Sequence, residues 1–435
     1  MPAFVTFWLG QVVSLLGTNM SGFGLTIWAY KLTGSATALA LVGFFFVTPM
    51  LINSPIAGAL VDRSNRKLMM MISDLASGLA TIVVLILYSA GKLQVWHLYL
   101  TGAFSGTFQA FQWPAFSAAI STMLPKEQYG RANGMMSLAE AGSGIFAPLL
   151  AGALLGLIGL GGILTIDIIT FAIAVSALFF IRVPQPVTTA AGLEGRGSIW
   201  KEAAYGFRYI LKRPSLLGLQ LVFLTGNLIS GIAYTVMAPM ILARTDNNSL
   251  IFGTVNSVGA IGGVLGGVVM SAWGGPKRRV HGVLLGWALS GLLGTLSMGL
   301  GRGVVVWAGA SFLGTFLVPI INGSNQAIWQ AKVAPDVQGR VFSIRRLIAW
   351  FTQPLATLVA GPMADFVLEP AMRQSTSFSS LFSPMVGSGP GTGMSLMFVF
   401  AGIGMILVGL GSYSFHVVRD AEGILPDHDL DVDVK

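Results

Sequence analysis

Runs of about 20 predominantly apolar residues recur from one end of this chain to the other, and no other feature restricts its fold as much. A helix needs roughly that many apolar residues to cross a bilayer. About twelve such segments can be marked in the 435 residues, at 4–30, 36–60, 68–90, 94–122, 133–157, 161–181, 215–241, 250–273, 280–300, 303–329, 343–367 and 392–415. Charged residues make up 10% of the chain, where soluble domains carry about 25%, so a water-soluble fold could not cover its own surface. The expectation is an all-α integral membrane protein with twelve transmembrane helices. The stretch from Phe4 to Tyr30 is too long for a cleaved signal and lacks a basic start.

Most connections are short, so neighbouring helices run antiparallel, and an even count puts both termini on one side. The cations say which side. Loops on the terminal side hold Arg63, Arg66, Lys67, Lys126, Arg131, Lys277, Arg278, Arg279, Lys332, Arg340, Arg345 and Arg346, and the central loop and tail add more. The opposite side holds Lys31, Lys92, Arg244, Arg302 and Arg373. Excess Lys and Arg mark cytoplasmic loops, so both termini are expected in the cytoplasm. The net charge of +8 therefore reads as topology, not as a nucleic-acid surface. The chain has no Cys and four scattered His, which leaves no thiolate site or ligand cluster for a metal or cofactor.

The two halves echo each other. Gln11 and Thr18 in the first helix correspond to Gln220 and Asn227 in the seventh, 209 positions on. Thr101, Ser105 and Gln112 in the fourth correspond to Ser311, Thr315 and Asn322 in the tenth, 210 positions on. Spacings of four and seven put each set on one helical face. Polar groups facing lipid are costly, so these faces should turn toward neighbours or water, as hydrogen bonds between helices or as a shared polar cavity. Gln326, Phe108, Trp113 and Tyr234 are further candidates for such a cavity, where a mostly apolar lining with a few polar anchors suits a small amphiphilic molecule. The boundaries drawn are a six-helix bundle at 1–181, a central loop at 182–214 carrying an amphipathic surface helix at 199–213, a second six-helix bundle at 215–416, and an acidic tail at 417–435 with Asp427, Asp429, Asp431 and Asp433.

Gly58-Ala59-Leu60-Val61-Asp62-Arg63-Ser64-Asn65-Arg66-Lys67 resembles the loop signature of the major facilitator superfamily between its second and third helices. Asn65 stands where the family usually has Gly, and Asn tolerates a left-handed turn. The resemblance runs over about residues 4–415. It implies two pseudo-symmetric six-helix bundles, transport rather than catalysis, and a charge network at this loop that holds one state of the cycle, with Gly58, Asp62, Arg63, Arg66, Lys67 and Asp74 as its members. Gly134, Ser143, Ala147-Pro148 and Ala151-Gly152 resemble the family's helix-five antiporter pattern, with small residues that permit close packing. Gln330-Ala331-Lys332-Val333, the run Pro335 to Ser343, and Gly387-Ser388-Gly389-Pro390-Gly391 resemble the bacterial macrolide-efflux-like and siderophore-exporter-like branch. That branch implies export across an inner membrane.

Four acids stand within or near the spans: Asp74, Glu140, Asp167 and Asp365. Intramembrane acids are functional candidates. Glu140, on helix five among small neighbours, is the first choice for a proton-coupling group or a contact to a cationic substrate, with Asp167 second. No Gly-rich Lys-Ser/Thr loop for ATP is present, so protons are the expected energy source and a small molecule the expected partner. Uptake or exchange of a metabolite, and a sensor built on a transporter fold, are the rival readings. A lipid-modifying enzyme would need a catalytic constellation at one interface, and the scattered His and acids offer none.

Overall fold

In the computed structural model the described residues, which are 2–123, 129–181, 206–333, 335–374 and 377–426, form helices joined by short turns. Some side chains inside these helices lie outside the description, among them Gly58, Asp62, Arg63, Trp113 and Gly134. The first half is built from α1 (Pro2–Thr33), α2 (Ala36–Arg63), α3 (Arg66–Ser89), α4 (Val95–Met123) and α5 (Tyr129–Phe180). Then come α6 (Pro214–Arg244), α7 (Ser249–Trp273), α8 (Arg279–Leu289), α9 (Val304–Lys332), α10 (Pro335–Pro362), α11 (Ser377–Val386) and α12 (Thr392–Gly411). A π segment at Ser290–Leu296 and a last turn at Ser297–Leu300 continue α8, and a π segment at Met363–Leu368 that contains Asp365 continues α10.

Ten helical stretches are long and apolar enough to cross a membrane among the described residues. One of them, Leu138–Phe180, runs for 43 residues and is interrupted at Gly159, with φ 66° and ψ −177°. The sequence places a break there, between 157 and 161. That backbone conformation is open to Gly and closed to residues with a Cβ. The 29-residue α4 is not among the ten, with Thr101, Ser105, Thr107, Gln109 and Gln112 spread along it.

The helices form two compact units, residues 1–193 with 241–257, and residues 194–240 with 258–435. In the first, Phe4, Phe7, Met70, Phe116 and Leu178 make one buried cluster, and the rings of Phe7 and Phe116 stack at 5.0 Å. A Cβ on Gly106 would strike the Phe46 carbonyl, so α2 and α4 touch backbone to backbone. The second unit repeats this device, with Gly262 and Gly266 of α7 against the Phe312 and Phe316 carbonyls of α9. Such contacts replace the hydrophobic drive that lipid does not supply.

Three expectations are corrected. Asn65 is not left-handed: at φ −68° and ψ 112° it is the N-cap of α3, and its Oδ1 accepts from the Leu68 amide at 3.2 Å. Residues 368–391, the gap between the last two apolar segments, hold α11 and a buried Glu369. That carboxylate accepts from the amides of Gly391 (3.2 Å) and Met394 (3.0 Å) at the start of α12, where the helix dipole favours an anion. Residues 416–425 are not free either. Val418 and Ala421 are buried, Arg278 pairs with Asp420 at 2.9 Å, and Lys332 donates to the carbonyls of Glu422 and Leu425. Asp427, Asp429, Asp431 and Asp433 lie outside the described residues, as does the central loop up to 205. Residues 206–211 are helical, and Ile210 packs with Leu216, Trp329 and Ile344.

Candidate functional site

The first unit encloses a cavity of about 170 Å³ between α1, α3, α4 and α5. The polar face of α1 enters it at Gln11 and Thr18, as the spacing of seven requires. Asp74 and Thr81 arrive from α3 by the same spacing, Gln112 from α4, and Glu140 and Asp167 from α5. No Lys, Arg or His is among its described lining residues.

Two buried carboxylates face this space. Asp74 is 9% exposed and Asp167 is 3% exposed. Gln11 Nε2 donates to Asp74 Oδ2 at 3.1 Å, and Gln112 Nε2 donates to Oδ1 at 2.9 Å. Gln112 Nε2 also lies 3.2 Å from Gln11 Oε1, closing the triad. Gln112 Oε1 is buried with no partner among the described residues. Thr18 and Thr81 donate their hydroxyls to the two Asp167 oxygens, each at 3.1 Å. Gly17 makes this possible: a Cβ there would come within 3.1 Å of the Asp167 Cα, so α1 approaches α5 closely enough for Thr18 to reach. Both carboxylates are thus held by neutral donors, with no cation in ion-pair range among the described residues.

This arrangement changes two sequence expectations. Glu140 lines the cavity but is exposed and makes no hydrogen bond to a described residue, so the buried positions belong to Asp74 and Asp167. Asp74 was expected in the loop charge network, and its partners are instead the amides of Gln11 and Gln112. Of the other network members, Lys67 donates to the carbonyls of Phe179 (2.7 Å) and Ile181 (2.8 Å), capping the end of α5. Arg66 opens α3. Gly58, Asp62 and Arg63 lie on α2 with their side chains outside the description.

The helix-five residues pack within the first unit. Asn19 Nδ2 donates to Ser143 Oγ at 2.8 Å, and that hydroxyl lies 3.3 Å from the Leu15 carbonyl. Ala147 and Ala151 are fully buried beside Met20 and Ile163. Ser249 Oγ donates to the Gly152 carbonyl at 3.0 Å, and Gly253 abuts the Pro148 carbonyl. Gly134 and Trp113 lie outside the described side chains.

The remaining cavity candidates are dispersed. Thr101 donates to the His97 carbonyl at 2.9 Å, Ser105 is partly buried, and the Phe108 ring leans on Phe104 at 5.1 Å. Ser311 and Thr315 turn to α7: Thr315 donates to the Gly259 carbonyl, and Gly259 leaves room for Ser311. They serve helix contact, because a hydroxyl satisfied by a neighbouring carbonyl lets two helices close up. Asn227 is partly buried, and Asn322 and Tyr234 are exposed. Gln220 and Gln326 converge on Arg345 of α10. Sequence reasoning missed Thr81 and Asn19. Thr81 could have been found from its spacing of seven after Asp74.

A multi-pass helical membrane protein with a polar, acid-lined cavity inside one helix bundle is the class that this geometry defines. The chain belongs to the Major Facilitator Superfamily, whose family model matches residues 7–357. Members of this family are transporters and not enzymes. Macrolide efflux protein A of Streptococcus pyogenes is 25% identical over 366 residues, covering 83% of this chain and 89% of that protein. Multidrug efflux pump Tap of Mycolicibacterium fortuitum is 28% identical over 396 residues, covering 85% and 91%. Among solved structures, a bacterial homologue of the human lysosomal transporter Spinster superposes with a TM-score of 0.66 at 15% identity over 98% of both chains. That likeness concerns the fold.

Proposed function

We propose that this transporter exports a small amphiphilic, drug-like or siderophore-like compound in exchange for protons, by alternating access, in a bacterial-type inner membrane with both termini cytoplasmic. The observation that carries the coupling is the pair Asp74 and Asp167, two buried carboxylates that open on one cavity and whose partners among the described residues are neutral. Amide and hydroxyl donors hold a carboxyl in place without pairing it with a positive charge. A group so placed can take a proton from one side and release it to the other. Glu140, at the same cavity and free of hydrogen bonds to described residues, is the candidate to pass the proton onward. The relatives named as macrolide and multidrug efflux proteins support the direction and the substrate class. The loop from Gly58 to Lys67 acts as the gate, with Asp62 as its acceptor.

Vesicles containing the purified protein and an imposed pH gradient test this. Efflux of hydrophobic dyes and macrolides should follow the gradient, vanish when it is collapsed, and be lost in Asp74→Asn and Asp167→Asn. Flux that persists without a gradient, or an unchanged pH profile in both variants, would refute proton coupling through these acids.

A further inference from the structure

Arg345 lies on α10 (Pro335–Pro362), in the second unit. Its guanidinium turns onto α9. Nη1 donates to Gln326 Oε1 at 2.7 Å, and Cζ lies 5.1 Å from the centre of the Trp329 ring and 5.9 Å from that of Phe342. The buried Gln220 of α6 donates to the Arg345 carbonyl at 3.4 Å, which ties α6 to α10 at this point. Other cations of this unit meet acceptors of full or strong partial charge: Arg278 meets Asp420, Arg373 approaches Glu369 at 3.8 Å, and Lys332 holds two carbonyls. Arg345 meets one amide oxygen and two ring faces, with no carboxylate in range among the described residues. Among the described residues, one of its five N–H donors is engaged. The Trp329 Nε1 donor, on the ring beside it, is fully buried and has no partner among the described residues.

A topological anchor would extend to the interface and need none of this. A planar donor fork held over an aromatic ring, with its backbone fixed and most donors without a partner among the described residues, matches a carboxylate or phosphate. We propose that Arg345, positioned by Gln326, Gln220 and Trp329, receives the anionic group of an amphiphile, so that the compounds handled include carboxylate- or phosphate-bearing ones. The proposal rests on the transport reading for the identity of its ligand, and the same chemistry could be met by a phospholipid headgroup.

The test uses the full-length protein in phosphatidylcholine nanodiscs, with and without phosphatidylglycerol, and two probes: a xanthene dye with a free carboxylate and the methyl ester of that dye. Arg345→Gln should weaken binding of the acid by about tenfold or more, the usual worth of a hydrogen bond to a charged group, and leave the ester unchanged. Unchanged ester binding also shows that the variant is folded. Arg345→Lys should recover part of the loss, since it keeps the charge without the fork. Phosphatidylglycerol that competes with the acid in the natural protein and not in Arg345→Gln would support the anion site with lipid as its source. Equal loss of acid and ester would overturn the proposal. So would wild-type protein that binds neither dye and gains no thermal stability from phosphatidylglycerol. Arg345-dependent binding without dye flux in vesicles would keep the anion site and remove the transport reading.

Discussion

Gln112 Nε2 lies 2.9 Å from Asp74 Oδ1, a bond between α4 and α3 that completes a triad with Gln11 of α1. It fixes the direction of a carboxylate in the cavity of the first unit. Replacing Gln112 by Ala removes one of two donors and should cost about 1–3 kcal/mol, read as a lower melting temperature in detergent. Asp74→Asn removes the charge and keeps one of the two acceptors, so it should melt somewhat below the natural protein while losing gradient-driven flux. An Asp74→Asn protein that still pumps normally would leave coupling to Asp167.

Asn65 tests how the loop signature should be understood. Its side chain caps α3 at negative φ. Asn65→Ala should therefore cost about 1 kcal/mol, and Asn65→Gly only a few tenths. A left-handed position would give the opposite order of merit, with Gly more stable than Asn. Thermal melts of the two variants decide between these readings.

Glu369 and Gly391 form a second capping site. Gly387, Gly389 and Gly391 have φ of 87°, 101° and 82°, which explains a glycine-rich stretch before α12. A side chain at such a φ costs roughly 1–2 kcal/mol, so Gly391→Ala should destabilise by about that amount. Glu369→Gln should weaken the acceptance of the Gly391 and Met394 amides and loosen the start of α12. Hydrogen exchange at residues 391–395 should rise in both variants. Unchanged exchange there would show that the cap is dispensable.

What could be read in advance follows from what a single sequence encodes. Hydrophobic length placed most helices within a few residues, though α10 begins eight positions before the segment read at 343 and α11 was not read, and helical spacing placed Gln11 with Thr18 on one face. Which faces meet was not legible. The Asp74 partners lie 63 and 38 positions away, and periodicity does not say that α1 and α4 flank α3. Glu140 drew attention because its neighbours are small, but small neighbours signal packing and not burial of that carboxyl. Ser311 and Thr315 shared the spacing of the first-half stripe, yet Gly259 and Gly262 bring α7 onto them. The C-terminal strap was hidden because Val418 and Ala421 are two short apolar residues in a charged stretch.

The strap supplies a pH dependence outside the membrane. Hydrogen bonds from Arg419 and Arg278 hold the Asp420 carboxyl below the usual carboxylate range. A group whose folded value is depressed contributes stability above its unfolded value, near 4, and loses it as the pH falls through the folded value. Docking of residues 416–425 should therefore be constant from neutral pH down to about 4 and weaken below that. Asp420→Asn should speed amide exchange across this segment at neutral pH and flatten the acid response. If the amides of residues 416–425, each taken relative to its intrinsic exchange rate, are no better protected at pH 7 than at pH 3, the Arg278–Asp420 pair does not hold the segment. The Lys332 contacts to the Glu422 and Leu425 carbonyls would then be the attachment that matters.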